Sequence, residues 1–230
     1  MFAPVSIKLT TNGRPLTLHL FSTGKIAGRL SSRWQPIWVL AIDHPEGIFL
    51  VDAGERTRRA HWWLDVLYKF DLDRSDEADR QLANFNIGTH QVKTILLTHR
   101  HFDHTDGLCH FPQTPVFHPS PKTLNDSCGA FTKAHYVTAA KDLIVVSTPG
   151  HTRDHCSVLL RTDNHHVLFA GDMAETQEQL LQGNHPTYSA VKAYAHSHPL
   201  IFLPTHDPAS GTRLATLQAL NPDNFDTGFR

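Results

Sequence analysis

The sequence contains few cysteines, and none of them lies in a motif typical of a metal or disulfide site. Cys109, Cys128 and Cys156 are the three cysteines in 230 residues; they are widely spaced and form no C-x-x-C motif. An odd number at such spacing argues against a disulfide framework and against a cysteine-rich zinc site. We therefore expect free thiols and a cytoplasmic protein.

Long apolar runs and clusters of one charge are also missing. No segment approaches the ~18 consecutive apolar residues of a membrane-spanning helix, and residues 1–10 alternate apolar and polar side chains, unlike a signal peptide. The 21 Lys and Arg residues nearly balance the 22 Asp and Glu residues, without a basic stripe or tail. We expect no membrane and no nucleic acid as partner, which leaves a small-molecule substrate.

No linker rich in glycine, serine or proline interrupts the sequence, and no internal repeat is present. A chain of this length can bury one substantial core, so residues 1–230 are predicted to form a single domain. Short runs rich in Val, Ile, Leu and Phe, bounded by turn residues, predict buried strands. These runs are 37–42, 48–51, 95–97, 143–146, 158–160, 167–170 and 200–203.

Residues typical of turns and of helix ends lie between these predicted strands. The segments 44–47 and 163–165 have the spacing of hairpin turns. We predict one helix capped by Ser75 and ended by Gly88, one over 190–195, and one after Asp207, where proline would occupy the first helical position. Hairpins interleaved with helices indicate an α/β fold in which helices sandwich the sheets.

Histidine is the residue type in which this chain is rich, with 18 copies. Taken singly, each is best interpreted as a solvated or hydrogen-bonded surface residue. However, His99, His101, Asp103 and His104 form the motif H-x-H-x-D-H directly after the 95–97 strand. Two imidazoles two residues apart at the end of a strand can converge on one metal ion, and the following Asp and His can reach a second. Zinc favours histidine nitrogen and carboxylate oxygen as ligands.

Three further residues of ligand type follow other predicted strands. His151 comes after the 143–146 run, Asp172 directly after the 167–170 run and its glycine, and His206 after the 200–203 run. This repeated context separates them from the remaining histidines. The sequence therefore predicts a metal site where several strands end.

These motifs resemble those of the metallo-β-lactamase superfamily, and the resemblance covers nearly the whole chain. It rests on H-x-H-x-D-H and on four flanking segments, Phe49-Leu50-Val51-Asp52-Ala53-Gly54, Thr148-Pro149-Gly150-His151-Thr152, Phe169-Ala170-Gly171-Asp172 and Leu203-Pro204-Thr205-His206-Asp207-Pro208. The fold that the resemblance implies is an αββα sandwich of two mixed β-sheets flanked by helices.

The resemblance also implies a dinuclear centre. The expected ligands are His99, His101 and His151 for the first ion, Asp103, His104 and His206 for the second, and Asp172 for both. The expected ions are divalent, with Zn²⁺ first and Mn²⁺ or Fe²⁺ as alternatives. Asp52 would orient the metal loop through hydrogen bonds. Asp103, as a proton shuttle, and Asp172 are the implied catalytic residues.

Two ions about 3.5–4 Å apart can share a bridging water and lower its pKa towards ~7, which gives hydroxide at neutral pH.

The segment after His206 is too short for the glutathione-recognition domain of glyoxalase II-like enzymes. The interval from His151 to Asp172 is too short for the insertion of the nucleic-acid-cleaving branch. True β-lactamases of the superfamily lack the bridging Asp. The pattern is most similar to N-acyl-homoserine lactonase-like proteins, so we expect hydrolysis of a lactone or related ester.

Two departures from that branch leave alternatives open. Glu175 stands where known lactonases carry a tyrosine, and Arg153-Asp154-His155 replaces the usual Pro-Gly-His. The alternatives are a phosphodiesterase or other ester hydrolase, and an iron-binding redox protein. The resemblance also allows a homodimer. We interpret Trp62, Trp63 and Tyr68 as packing residues of a covering helix rather than as the lining of an acyl pocket.

Overall fold

The computed structural model describes residues 2–58, 62–119 and 122–223. Its strands are β1 (Val5–Thr11), β2 (Arg14–Gly28), β3 (Gln35–His44), β4 (Gly47–Val51), β5 (Tyr68–Asp71), β6 (Val92–Leu96), β7 (Val116–Phe117), β8 (Asp126–Cys128), β9 (Phe131–Tyr136), β10 (Leu143–Ser147), β11 (Cys156–Arg161), β12 (His166–Gly171) and β13 (Leu200–Pro204). Its α-helices are α1 (Ala78–Ala83), α2 (Phe102–Thr105), α3 (Gln177–Gln182), α4 (Pro186–Ser197) and α5 (Ser210–Ala215). Short 3₁₀ helices cover Trp62–Val66, Thr89–Gln91 and Asp106–His110.

The strands form two mixed sheets. The first has the order β1-β2-β3-β4-β6-β7, with β5 paired to β2, and the second has the order β13-β12-β11-β10-β9-β8. Most neighbours are antiparallel, but β4, β6 and β7 run parallel to one another, as do β12 and β13. Both predicted hairpins are confirmed, since β3 pairs with β4 and β11 with β12 in antiparallel register.

Apolar side chains of both sheets meet in the central core, which includes Leu18, Leu40, Val145, Val158 and Phe169. On the outer face of the first sheet, Ala78 and Leu82 of α1 pack onto residues of β3 and β6. On the outer face of the second sheet, α3 and α4 contribute a separate cluster. The layers are therefore helix, sheet, sheet, helix, which confirms the expected αββα sandwich.

All seven strands predicted from apolar runs are present, because a run that is buried on both faces has a signal in every residue. The strand β2 was missed although it is 15 residues long. Its buried residues Leu16, Leu18 and Leu20 alternate with half-exposed Thr17 and His19. That period of two is the pattern of a strand with one covered face.

The helix predictions need several corrections. The helix expected to end at Gly88 ends at Ala83, and the helix after Asp207 begins at Ser210, so Pro208 does not occupy its first position. Ser75 does not cap a helix: its hydroxyl donates to Asp73, and α1 begins three residues later. Tyr68 belongs to β5 and not to a covering helix, and Trp63 lies in a 3₁₀ helix with 55% of its surface exposed. The Trp62 side chain lies outside the described residues. The helix predicted over 190–195 is confirmed as part of α4, which starts with Pro186 at its first position.

None of the described helices has the length and apolar character that a membrane crossing requires; the longest of them, α4, has 12 residues.

A buried polar network joins the two sheets. Asp142, just before β10, accepts hydrogen bonds from the hydroxyls of Thr11 (2.6 Å) and Thr138 (2.5 Å), and its Oδ2 lies 3.1 Å from His44 Nε2. All four side chains are buried. Burial alone would raise the pKa of the Asp142 carboxyl, but His44 and the two hydroxyls hold that pKa well below its usual value. The network links β1 and β3 of the first sheet to the start of β10 in the second.

We predict that Asp142→Asn lowers the free energy of unfolding by about 1–3 kcal/mol at pH 7, since it weakens buried hydrogen bonds to an ionised carboxylate. The folded-state pKa of Asp142 is depressed, so its contribution is present above the unfolded pKa of ~3.9 and is lost as the pH falls. The stability difference between wild type and variant should therefore shrink below about pH 4. Urea unfolding at several pH values measures it, with Asp43→Asn, an exposed carboxylate on β3, as the control. A constant difference down to the acid transition would contradict this account.

Candidate metal centre

The predicted ligands lie in segments that follow strands ending at one edge of the sandwich, with Asp103 and His104 in the short helix α2. Parallel strands place their carboxyl ends together, so the loops after β4 and β6 lie side by side, as do those after β12 and β13. The backbone N–H of Ala53 donates to the carbonyl of His104 at 2.9 Å, and that of Cys156 donates to the carbonyl of Thr98 at 2.8 Å. The second bond ties the His99 loop to β11 of the other sheet.

The structure brings all seven predicted side chains together, in two groups whose ligand atoms lie within 4.8 Å of one another. The first group is His99, His101, His151 and Asp172. Nε2 of His151 lies 2.9 Å from Nδ1 of His101 and 3.4 Å from Oδ2 of Asp172, and Nε2 of His99 lies 3.7 Å from the same oxygen.

The second group is Asp103, His104, His206 and Asp172. Nε2 of His206 lies 3.2 Å from Oδ2 of Asp103 and 3.4 Å from Oδ2 of Asp172, while Nε2 of His104 lies 3.2 Å from Oδ1 of Asp172. Asp172 thus belongs to both groups, and it presents its two oxygens to different histidines.

Hydrogen bonds orient the histidine rings. Asp52, immediately after β4, accepts from His104 Nδ1 at 2.7 Å and from the backbone N–H and hydroxyl of Thr98 at 2.8 and 2.9 Å. His206 donates from Nδ1 to the carbonyl of Pro36 at 2.8 Å. Because Nδ1 carries the proton in both rings, the Nε2 lone pairs are directed to the centre.

His155 holds Asp172 through the backbone, a role that the sequence did not reveal. The N–H of Asp172 donates to His155 Nε2 at 3.1 Å, so the His155 proton sits on Nδ1, 2.9 Å from the Thr148 hydroxyl. Burial lowers the pKa of His155 to about 3, which keeps the ring neutral. Gly171 allows this approach: it has a φ of +60°, and a Cβ there would lie 2.8 Å from His155 Nε2. The spacing of His155 four residues after His151 was its only sequence signal.

Opposite electrostatic influences act on the ligand side chains. Burial lowers the pKa of His99 far below its usual value, with the neighbouring His104 adding to the effect, so the His99 ring is neutral. Burial opposes ionisation of His206, but Asp172 and Asp103 outweigh it and raise the pKa of His206 to about 10. The two carboxylates therefore favour positive charge at this point, which is the condition for cation binding.

Buried polar atoms without hydrogen-bond partners indicate whether these residues could bind metal ions. Within the described part of the chain, His99 Nε2, His104 Nε2 and Asp172 Oδ1 are buried and have no hydrogen-bond partner. Each such atom costs about 1–3 kcal/mol when left without a partner. All three belong to the two groups above, and nitrogen and carboxylate oxygen are the donors that zinc and related ions prefer. The residues present fit a metal centre.

A cavity of about 210 Å³ opens onto this centre and is bordered by His101, Asp103, His151, Asp172 and His206. Its other walls come from four elements, namely β2, the start of β3, β5 and α2, together with the loop that follows Asp172. They contribute Ile26, Gly28, Gln35, Tyr68, Phe102 and Glu175. Tyr68, interpreted from the sequence as a packing residue, is thus a wall of the cavity. No local pattern marked it, because β5 reaches the site only by pairing with β2.

We predict that His155→Ala leaves the fold intact but weakens metal binding about 10–100-fold, since the Asp172 backbone N–H loses its acceptor and the carboxylate loses its fixed position. Titration of metal-free protein with Zn²⁺ in competition with a chelating dye measures the affinity. His196→Ala, which removes an exposed imidazole, is the control. An affinity within twofold of wild type would show that His155 does not position Asp172.

Comparisons with known proteins agree with this geometry. No protein-family model matches the chain. The hydroxyacylglutathione hydrolase of Erwinia tasmaniensis is 37% identical over 89 residues, which are 36% of this chain and 33% of the relative. That of Pseudoalteromonas translucida is 31% identical over 141 residues, 59% of this chain and 45% of the relative. The chain thus spans a third to somewhat under half of the length of these relatives.

Solved structures cover almost the whole chain. A quorum-quenching N-acyl homoserine lactone lactonase superposes with a TM-score of 0.69 at 17% identity and covers 94% of this chain and 100% of its own. A dizinc quorum-quenching lactonase with a bound product gives a TM-score of 0.61 at 15% identity, over 89% of this chain and 90% of its own. These matches confirm the resemblance found in the sequence: the chain has the metallo-β-lactamase fold and is related to the hydroxyacylglutathione hydrolases of that superfamily.

Proposed function

We propose that this chain is a metal-dependent hydrolase. The observation that carries the proposal is the convergence of five histidines and two aspartates in two groups that share Asp172. Buried ligand atoms without hydrogen-bond partners support it, as do the curated relatives, which are hydrolases by name.

In this proposal the centre is dinuclear. His99, His101 and His151 would hold the first ion, Asp103, His104 and His206 would hold the second, and Asp172 would contribute to both. When bound, two divalent ions supply Lewis acidity and a water of lowered pKa. Asp52 and His155 fix the ligands. Asp103, which borders the cavity with its carboxylate, moves a proton to the leaving group.

The substrate class that the cavity supports best is a lactone or related ester with an apolar portion. Ile26, Tyr68 and Phe102 supply apolar walls beside the ligands, and the rings of Tyr68 and Phe102 lie 6.4 Å apart. Several structural neighbours are N-acyl homoserine lactone hydrolases, one of them with N-hexanoyl-L-homoserine bound at its metal centre. Here a product of that type would place its apolar chain against these three side chains.

A thioester substrate is the second candidate, because the curated relatives are hydroxyacylglutathione hydrolases. The phosphodiesterase and iron redox alternatives have no comparable observation in their favour.

We expect the purified protein to contain two equivalents of metal per chain. His206→Ala should retain about one equivalent, because it removes a ligand of the second group only, whereas Asp172→Ala should lose most of both. Elemental analysis after purification without added metal gives the content and identifies the ion. His196→Ala is the control, with wild-type content expected. One equivalent in the wild-type protein would overturn the dinuclear proposal.

We expect the metal-loaded enzyme to open N-acyl homoserine lactones, with activity lost on chelation and restored by divalent metal. Asp103→Asn should lower kcat by roughly 10²–10⁴-fold, the usual contribution of a proton-transfer group, together with any loss of metal. Proton release in weak buffer follows the reaction, and the metal content of each sample separates the two effects. Turnover of S-lactoylglutathione alone would favour the thioester candidate. No turnover of any lactone, ester or thioester by the loaded protein would refute the hydrolase proposal.

A further inference from the structure

A second cavity, of about 250 Å³, also borders the candidate ligands His151 and Asp172. It is lined by Met173 and Glu175 from the loop after β12, by Gln179 of α3, and by His185 and Tyr188 at the start of α4. Glu175 borders both this cavity and the one described above. A substrate at the metal centre would therefore have room in two cavities that share the side chain of Glu175.

The lining of the second cavity combines a negative charge with aromatic faces. The rings of His185 and Tyr188 stand 5.7 Å apart at an interplanar angle of 60°. Nδ1 of His185 accepts the backbone N–H of Thr187 at 3.3 Å, an arrangement in which the ring is neutral. Burial raises the pKa of the Tyr188 hydroxyl, and the nearby charge of Glu175 adds to the rise.

The position of Glu175 is fixed by the start of α3. Its backbone N–H donates to Oε1 of Gln179 at 2.5 Å, and the Thr176 hydroxyl caps the helix by accepting the N–H of Gln179 at 3.1 Å. Glu175 is exposed, and its carboxylate forms no hydrogen bond or ion pair with the described residues. Among the described residues that line either cavity, none is lysine or arginine. The carboxylate therefore faces the cavities without a basic side chain beside it.

A carboxylate next to the face of a tyrosine is a combination that binds ammonium groups, because the charge and the ring quadrupole both attract a cation. We propose that the second cavity binds an ammonium group carried by the substrate, with Glu175 as its counter-ion and Tyr188 as its aromatic wall. The inference rests on the proposed function, since it concerns a substrate held at the metal centre. Asp103 and Asp172 offset part of the charge of the metal ions, and Glu175 adds a third carboxylate on the side where the ammonium would lie.

The same arrangement disfavours anionic substrates. A glutathione thioester carries one ammonium group but two carboxylates, and the residues lining the cavities offer neither carboxylate a lysine or arginine. Glu175 would repel a carboxylate in either cavity. The preferred substrate is therefore a cationic ester or lactone rather than an anionic thioester.

Binding tests the inference without catalysis. Choline and 3,3-dimethylbutan-1-ol have the same shape and differ only in the charge of the quaternary centre. Ligand-observed NMR titration of the metal-loaded protein should show tighter binding of choline. Glu175→Gln should weaken choline binding about three- to fivefold, as for a partly solvated ion pair, and leave the neutral alcohol unchanged. Tyr188→Leu should also reduce the preference for choline.

Glu178→Gln is the matched control, because it removes an exposed carboxylate of α3 that lines neither cavity. This variant should behave as wild type. Equal affinity of the wild-type protein for choline and the neutral alcohol would overturn the inference. So would an equal loss in Glu175→Gln and Glu178→Gln, which would indicate only a general effect of surface charge.

Hydrolysis provides the second readout. Choline hexanoate and 3,3-dimethylbutyl hexanoate are a matched ester pair, and the ratio of their kcat/KM values should favour the choline ester in wild type and fall about three- to fivefold in Glu175→Gln. Turnover of both esters at equal rates would refute the ammonium site while leaving the hydrolase proposal intact. Failure to hydrolyse either ester, with choline still bound in a Glu175-dependent way, would support the ammonium site, and the lactone and thioester assays described above would then decide the hydrolase proposal.

Discussion

The carboxylate of Asp172 is the point on which the candidate centre depends. It is common to both groups of ligands, and its oxygens lie within 3.2–3.7 Å of ring nitrogens of His99, His104, His151 and His206. A shared carboxylate requires a fixed backbone, and the structure provides one. The parallel pair β12–β13 ends beside it, Gly171 permits the left-handed turn, and neutral His155 accepts its N–H.

The two sheets contribute to the centre in different ways. The first sheet supplies the contiguous H-x-H-x-D-H loop, which Asp52 holds through three hydrogen bonds to Thr98 and His104. The second sheet supplies single ligands from separate loops. The hydrogen bond from the Cys156 N–H to the Thr98 carbonyl connects the two sheets beside the candidate centre. At another point between the sheets, Asp142 and His44 form a buried polar link that has no part in the centre.

Substrate choice depends on residues outside the ligand set. Tyr68 and Phe102 give one cavity apolar walls, whereas Glu175, His185 and Tyr188 give the other a polar and aromatic character. The relatives by sequence are named for a glutathione thioester, while several neighbours by structure are lactonases. Since both groups of proteins share the fold, the fold does not distinguish the two substrate classes; in the inference drawn above, the charge of Glu175 does.

The sequence by itself indicated the seven candidate ligands and the seven strands with continuous apolar runs. Both signals are local, since a buried strand is apolar at every position and each group of candidate ligands lies within a few residues of the end of a strand. It also determined the αββα architecture, through the resemblance that those motifs carry. Only the tertiary structure decided the roles of His155, Tyr68 and Glu175. Their partners are distant in the chain or lie across a cavity: Tyr68 faces the site because β5 pairs with β2, some 40 residues earlier. A contact of that kind depends on how the sheets pair and pack, which no short stretch of sequence encodes.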